Sequence, residues 1–401
     1  MKIAVIGVGT AGLTSLSHCL AWLPKEYNVY SIHDPSTPIL GIGESTGTAI
    51  PQTLYQGARF TLLRDAEELD ATVKHGVKYT GWREQDFYSN IVPPHQAMHF
   101  NNFKLKEFCF KRFQEIYSNR FQEIHTKILD ITQDDTSAIV VTDADQLKFD
   151  YIIDCRGYPD DYTDYNISNY IPVNHCLVNM IPEPGHWNYT YHIAHRNGWM
   201  FGIPLQTRQG FGYLYNDTIT DKEDAIDDIA ERFKTKPQDL NLREFKFKNY
   251  SAKKFIDGRI IKNGNRAVFF EPIEALSGWF YDRVMRYFID RVLFNAREDY
   301  LNQLLTDTAN DYESFICYIY HGGSMYKSKF WDITVQKSSE KLKNDSRFNG
   351  FISQLKDIYK SNEQPPISTN TAIGVFAISN WEDFDKNLGY HYFTPTTQSK
   401  W

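Results

Sequence analysis

The chain has 401 residues, 42% hydrophobic and 15% aromatic, enough apolar material for two or three structural units at roughly 150 residues each. Forty-three basic and fifty acidic side chains leave a net charge of −7 with no Lys/Arg-dense run, which argues against nucleic acid as a partner. An apolar strand follows Met1-Lys2 directly and no stretch approaches eighteen apolar residues, so no signal peptide and no membrane span are expected, and the reading is a soluble, cytoplasmic protein. The five cysteines, Cys19, Cys109, Cys155, Cys176 and Cys317, are odd in number and widely spaced. They suit buried thiols and neither a disulfide framework nor a metal site.

In chain order, Lys2–Gly7 reads as a buried strand, and Leu13, Leu16, Leu20 and Leu23 recur at helical spacing after it. A second strand, Tyr27–His33, completes a βαβ opening. The Gly/Ser/Thr-rich stretch 41–51 favours close backbone approach to a ligand. Between about 66 and 127 the pattern is mixed and is read as an inserted helical segment. Ile139–Val141 and Tyr151–Asp154 follow as strands, and alternating aromatic and small residues over 172–215 predict a second sheet. Thr220-x-x-Glu223 reads as a capping box before a helix with Ala225, Ile226, Ile229 and Phe233 on its apolar face. Beyond Gly278 the chain reads as helical to about Lys360, where Pro365-Pro366 breaks it.

Gly7-Val8-Gly9-Thr10-Ala11-Gly12 is a GxGxxG run between strand and helix, with an acid, Asp34, ending the second strand. The first glycine allows a tight turn, the second lets backbone approach a pyrophosphate, and the third lets the helix pack closely. The helix N-terminus offers N–H groups to the phosphates, with Asp34 accepting from a ribose hydroxyl. This is a dinucleotide site, and NAD and FAD both fit it. Two later segments favour FAD: the strand ending Asp154-Cys-Arg-Gly157, and the strand, proline turn and helix start over Glu271-Pro272-Ile273-Glu274-Ala275-Leu276-Ser277-Gly278. No second fingerprint for a nicotinamide cofactor is present.

These motifs resemble one family, the flavin-dependent tryptophan halogenases. The GxGTAG opening and Gly41-Ile-Gly43-Glu44-Ser45-Thr46 are similar to its pyrophosphate and flavin-loop signatures. Val73-Lys74-His-Gly-Val-Lys78-Tyr-Thr-Gly-Trp82 is similar to the segment bearing its essential lysine, which lands on Lys74. Trp199-Met-Phe201-Gly-Ile203-Pro204 resembles its WxWxIP motif, with Phe201 in place of the second tryptophan. The family's Glu-Ser-Thr-Gly corresponds to Glu274–Gly278, one residue longer here.

The resemblance implies an α/β fold of the FAD-binding Rossmann type with a second, smaller sheet and a helical C-terminal part. The expected boundaries are 1–171 for the first part of the FAD-binding core, 172–255 for a sheet and substrate domain, 256–290 for the return to the core, and 291–401 for a helical region covering the substrate. It implies FAD, used as FADH2, with O2 and halide as co-substrates and with electrons from a separate flavin reductase or free reduced flavin. An aromatic small molecule of indole or phenol type would be halogenated, with no nucleic acid, membrane or metal involved and the oligomeric state open. By the same resemblance, Lys74 activates hypohalous acid and Glu274 serves as base, with halide bound at Ser277 and Gly278. Trp199, Phe201, Ile203 and Pro204 wall a passage. Gly7, Gly9, Thr10, Ala11, Gly12, Asp34, Gly43, Glu44, Ser45, Thr46, Asp154, Gly157, Glu271 and Pro272 hold the cofactor. A flavin monooxygenase or FAD-dependent reductase of the same fold would share the cofactor motifs and differ at Lys74 and 199–204, and a non-catalytic flavin-binding or assembly protein is the reading if Phe201 and the longer Glu274–Gly278 loop mean lost chemistry.

Overall fold

A computed structural model describes residues 1–39, 41–91, 93–360 and 372–394; Pro365-Pro366 lies outside them. The run Ile3-Ala4-Val5-Ile6 is fully buried, as a strand covered on both faces of a parallel sheet must be. It forms β1 (Lys2–Ile6), which pairs in parallel with β2 (Asn28–His33) on one side and β11 (Tyr151–Asp154) on the other. Parallel β7 (Phe121–His125) extends the sheet beyond β2. β20 (Ile260–Lys262) extends it beyond β11 and carries the antiparallel edge strand β19 (Ile256–Asp257). The crossover helix α1 (Thr10–Trp22) buries Leu13, Leu16 and Leu20 as its spacing predicts. It packs against α2 (Ala49–Ala58), α4 (Asn102–Tyr117) and α6 (Ser277–Phe294), while the single turn α3 (Leu62–Asp65) follows α2.

The segment 66–127 is not the helical insert its mixed pattern suggested. It holds four strands, β3 (Thr72–Lys74), β4 (Gly76–Thr80), β5 (Phe87–Asn90) and β6 (Ala97–His99), before α4. β3 and β6 pair with each other, whereas β4 and β5 join the large second sheet. The remaining strands of that sheet are β13 (His175–Ile181), β14 (Tyr189–Ala194), β15 (Trp199–Pro204), β16 (Gln209–Tyr215) and β17 (Arg243–Lys246). Its order is β17-β13-β16-β15-β14-β4-β5, antiparallel except where β14 meets β4. Every residue of β15 is buried because both faces are covered. Trp199, Phe201 and Ile203 face the main core, and Met200 faces the cluster formed with Ala225 and Ile229 of α5 (Lys222–Phe233). The capping box expected at Thr220 does not form: α5 starts one residue later, and the Thr220 hydroxyl donates instead to the carbonyl of Asn197 at 3.3 Å.

Two three-stranded sheets flank these. One joins β8 (Ile128–Gln133), β9 (Ala138–Thr142) and β10 (Gln146–Phe149); the other joins β12 (Tyr165–Ile167), β18 (Tyr250–Ala252) and β21 (Val268–Phe269). Beyond α6 come α7 (Glu298–Tyr320), α8 (Lys329–Asn344) and α9 (Ser346–Lys360), then the hairpin β22 (Ala372–Ile373) and β23 (Phe376–Ala377), then α10 (Ile378–Asn387). Phe384 of α10 meets Tyr79 of β4 edge-on at 5.6 Å, which ties the C-terminal helices to the second sheet beside the site described next. Among the described residues no helix is long and apolar enough to cross a membrane.

Candidate active site

The ends of β1 and β11, the loop after β2 and the start of α6 surround a cavity of about 680 Å³. Gly7 adopts φ +96, and a Cβ there would sit 2.7 Å from the Cys155 carbonyl oxygen, so only glycine serves. A Cβ on Gly12 would overlap the Gly7 carbonyl. Both are therefore packing glycines, and Gly12 does not line the cavity. Gly9, Gly43 and Gly157 do line it, and a Cβ on any of them would meet no atom within 4 Å. Gly9 is also the N-cap of α1 and gives it no side-chain cap, so the first-turn N–H groups are left to an anionic ligand. This cradle fits a dinucleotide.

Thr10, Ala11, Asp34, Ser45, Thr46 and Pro272 also line the cavity. The Asp34 carboxylate accepts from the N–H and hydroxyl of Ser36 at 2.8 and 2.6 Å, which holds it below the usual carboxylate range. Glu44, Asp154 and Glu271, expected to touch the cofactor, do not line the cavity. Both Glu44 oxygens accept from Arg208 Nη2 at 2.6 Å, and one accepts from the Asn102 N–H, so this carboxylate pins the loop from behind. Asp154 is bound by Arg156 at 2.9 Å and Arg266 at 3.3 Å, and these two arginines line the cavity instead. Glu271 is buried against Tyr320 and Trp199, and burial pushes its carboxyl up to about 8.

Lys74 ends β3, is 3% exposed and lines the cavity. Its Nζ donates to Ser45 Oγ at 3.0 Å. Burial lowers its pKa to about 8, against the opposing pull of Glu274. Lys78 lies elsewhere: it pairs with Asp86 at 2.9 Å, between the rings of Tyr88 and Tyr191. Glu274 does not line the cavity; it accepts from Tyr79 Oη at 2.6 Å and from Ser89 Oγ at 3.2 Å. Burial raises its pKa, against Tyr79, Lys74 and Ser89.

The Glu274–Gly278 loop turns through two consecutive left-handed residues, Glu274 at φ 61 and Ala275 at φ 53. Each costs about 1–2 kcal/mol outside glycine. Ala275→Gly is accordingly expected to stabilise the protein by up to about 1 kcal/mol, read from urea unfolding midpoints; a loss of stability would show that Ala275 is not strained. Ser277 and Gly278 open α6 and line the cavity, where the first-turn N–H groups suit an anion.

Of the residues expected to wall a passage, Phe201 and Ile203 line the cavity, and Trp199 and Pro204 do not. Trp199 is wholly buried beyond the cavity end, its indole N–H donating to Tyr320 Oη at 2.6 Å and its ring beside Trp82 and His192. Pro204 turns its carbonyl to the Thr72 hydroxyl at 2.7 Å. The motif expectations missed Thr190 and His192, which line the cavity from β14. Their i, i+2 spacing puts both on one face, but nothing local says that this face meets Lys74.

The family model for tryptophan halogenase matches residues 2–134 and 92–382. The chain belongs to the tryptophan halogenase family. Membership makes it a flavin-dependent oxidoreductase of the halogenase class and accounts for the open glycine cradle. Among curated relatives, the tryptophan 7-halogenase KtzQ of Kutzneria sp. (strain 744) is 22% identical over 254 residues, 59% of this chain and 47% of that protein. This halogenase-family chain thus matches about half of that relative's length. The tryptophan 7-halogenase RebH of Lentzea aerocolonigenes is 19% identical, covering 82% of this chain and 78% of its own. A solved tryptophan halogenase from Shewanella frigidimarina NCIMB 400 superposes with a TM-score of 0.80 at 16% identity, over 100% of this chain and 90% of that one, which shows a shared fold.

Proposed function

We propose that the protein halogenates an electron-rich aromatic small molecule of indole or phenol type, using FADH2, O2 and halide, with reduced flavin supplied by a separate reductase or in free form. The observation that carries this reading is the buried Lys74 on the wall of a dinucleotide-sized cavity, with Glu274 near enough to hold its charge. When bound, reduced flavin with oxygen supplies the two-electron oxidation of halide to hypohalous acid. Gly9, Gly43, Gly157, Thr10, Ala11, Asp34 and Pro272 would hold it. The N–H groups at Ser277 and Gly278 bind the halide, and the apolar walls Phe201 and Ile203 keep water away.

Lys74 Nζ commits one N–H to Ser45. Its remaining valences reach the cavity, where they polarise or accept the electrophilic halogen. Glu274 carries two donors, one on each oxygen, an arrangement that favours its charged form. From behind the cavity wall it would stabilise positive charge developing beside Lys74. The test supplies a flavin reductase, FAD, NADH and a panel of indoles and phenols, with and without bromide. Bromine isotope doublets that require both bromide and the protein support the reading. Hydroxylated products without halogen would replace it with a monooxygenase.

A further inference from the structure

We propose that Thr190 is a positioning residue that sets the direction of the hydrogen bonds leading away from Lys74, so that Ser45 can accept from the amine but never donate to it. The inference rests on the role given to Lys74 above and goes beyond it. Thr72 Oγ1 donates to the Pro204 carbonyl at 2.7 Å, which spends its only proton. The contact between Thr72 Oγ1 and His99 Nδ1 at 3.0 Å must therefore be donated by the imidazole. His99 is fully buried, and burial, with Lys74 nearby, holds its pKa well below the usual value. It carries one proton, on Nδ1, and its Nε2 is an acceptor.

Thr190 Oγ1, 2.9 Å from His99 Nε2, donates to it. With that proton spent, the contact between Ser45 Oγ and Thr190 Oγ1 at 2.8 Å is donated by Ser45, and Ser45 in turn has only its lone pairs left for Lys74 Nζ at 3.0 Å. The groups facing Lys74 are Ser45 from the loop after β2, Thr190 and His192 from β14, His99 from β6, and Glu274 from the turn before α6. His192, like His99, is kept neutral by burial and by Lys74, and burial raises the pKa of Glu274 against the pull of Lys74.

The consequence appears once the amine is deprotonated. A serine free to rotate would donate to the nitrogen and occupy its lone pair; here the lone pair stays open to the cavity. With hypohalous acid as the oxidant, the nitrogen attacks the halogen, the N–halogen bond forms as the halogen–oxygen bond breaks, and the departing hydroxide leaves as water with the proton shed by nitrogen.

Thr190→Val removes the acceptor for Ser45 and turns the serine proton toward Lys74; the double variant Ser45→Ala with Thr190→Val removes that proton as well. The direct readout is the initial rate of Lys74 labelling by formaldehyde and cyanoborohydride, followed by peptide mass spectrometry in flavin-free protein at about pH 9, where the neutral amine dominates. We expect labelling to fall about tenfold in Thr190→Val, the scale of one hydrogen bond, and to return to within about twofold of the parent in the double variant. Parent-like labelling of Thr190→Val overturns the proposal, as does a loss that the double variant fails to relieve, because that pattern means structural damage. Labelling does not depend on halogenation, so absence of halogenated product from every variant would defeat the proposed function and leave this result standing.

Discussion

Lys74→Met is expected to lower halogenation by at least about a hundredfold, the scale of a removed acid or donor, and to leave the protein at least as stable as its parent. The fold lowers the pKa of Lys74 from 10.5 to about 8, so the folded state disfavours the ammonium. At roughly 1.4 kcal/mol per pKa unit, burying that charge costs about 3 kcal/mol at neutral pH, before the Ser45 bond lost in the variant is set against it. The cost is fully present below about pH 8 and fades as pH rises toward 10.5, where the unfolded lysine also loses its proton. Any advantage of Lys74→Met should therefore shrink between these limits, and urea titrations at about pH 7 and about pH 10 measure the difference. Lys78→Ala is the control: its ammonium is held by Asp86 away from the cavity, and most activity should remain. A dead Lys78→Ala with an active Lys74→Met would move the catalytic role to Lys78.

Gly9→Val should fold normally and lose flavin binding. Gly9 has an ordinary φ of −72 and would place its Cβ in open space, so the new side chain harms nothing but the room in front of the α1 N-terminus. Gly12→Ala should do the opposite kind of damage, since its methyl would overlap the Gly7 carbonyl and force α1 away from β1. Flavin fluorescence titration and thermal unfolding, run on both variants, separate the two. Normal flavin affinity in Gly9→Val would remove the pyrophosphate from this turn.

The two glycine roles could be told apart by spacing because a parallel strand, a tight turn and a helix leave a local signature in consecutive residues. The helices after Gly278 were readable for the same reason: α7 is 23 residues long and repeats its apolar face several times. β3, β4, β5 and β6 are three to five residues each, too short for any periodicity to outweigh the mixed composition around them. The site was readable as residue types and not as neighbours. Lys74, Ser45 and the turn carrying Glu274 stand out in the chain, but only pairing of β4 with β14 brings Thr190 and His192 beside them. Glu44 and Trp199 occupy recognisable motifs, yet each is satisfied by a partner remote in sequence, Arg208 and Tyr320, while Asp154 is held both by its near neighbour Arg156 and by the distant Arg266.

The parallel junction between β4 and β14 also governs how the protein is made. During synthesis the strand bearing Tyr79 leaves the ribosome well before Tyr189–Ala194 exists to pair with it, and β1 must likewise wait for β11. Both central sheets close only over long loops, which slows folding and leaves unpaired edges exposed in the nascent chain. Refolding is accordingly expected to be slow and prone to aggregation at high concentration.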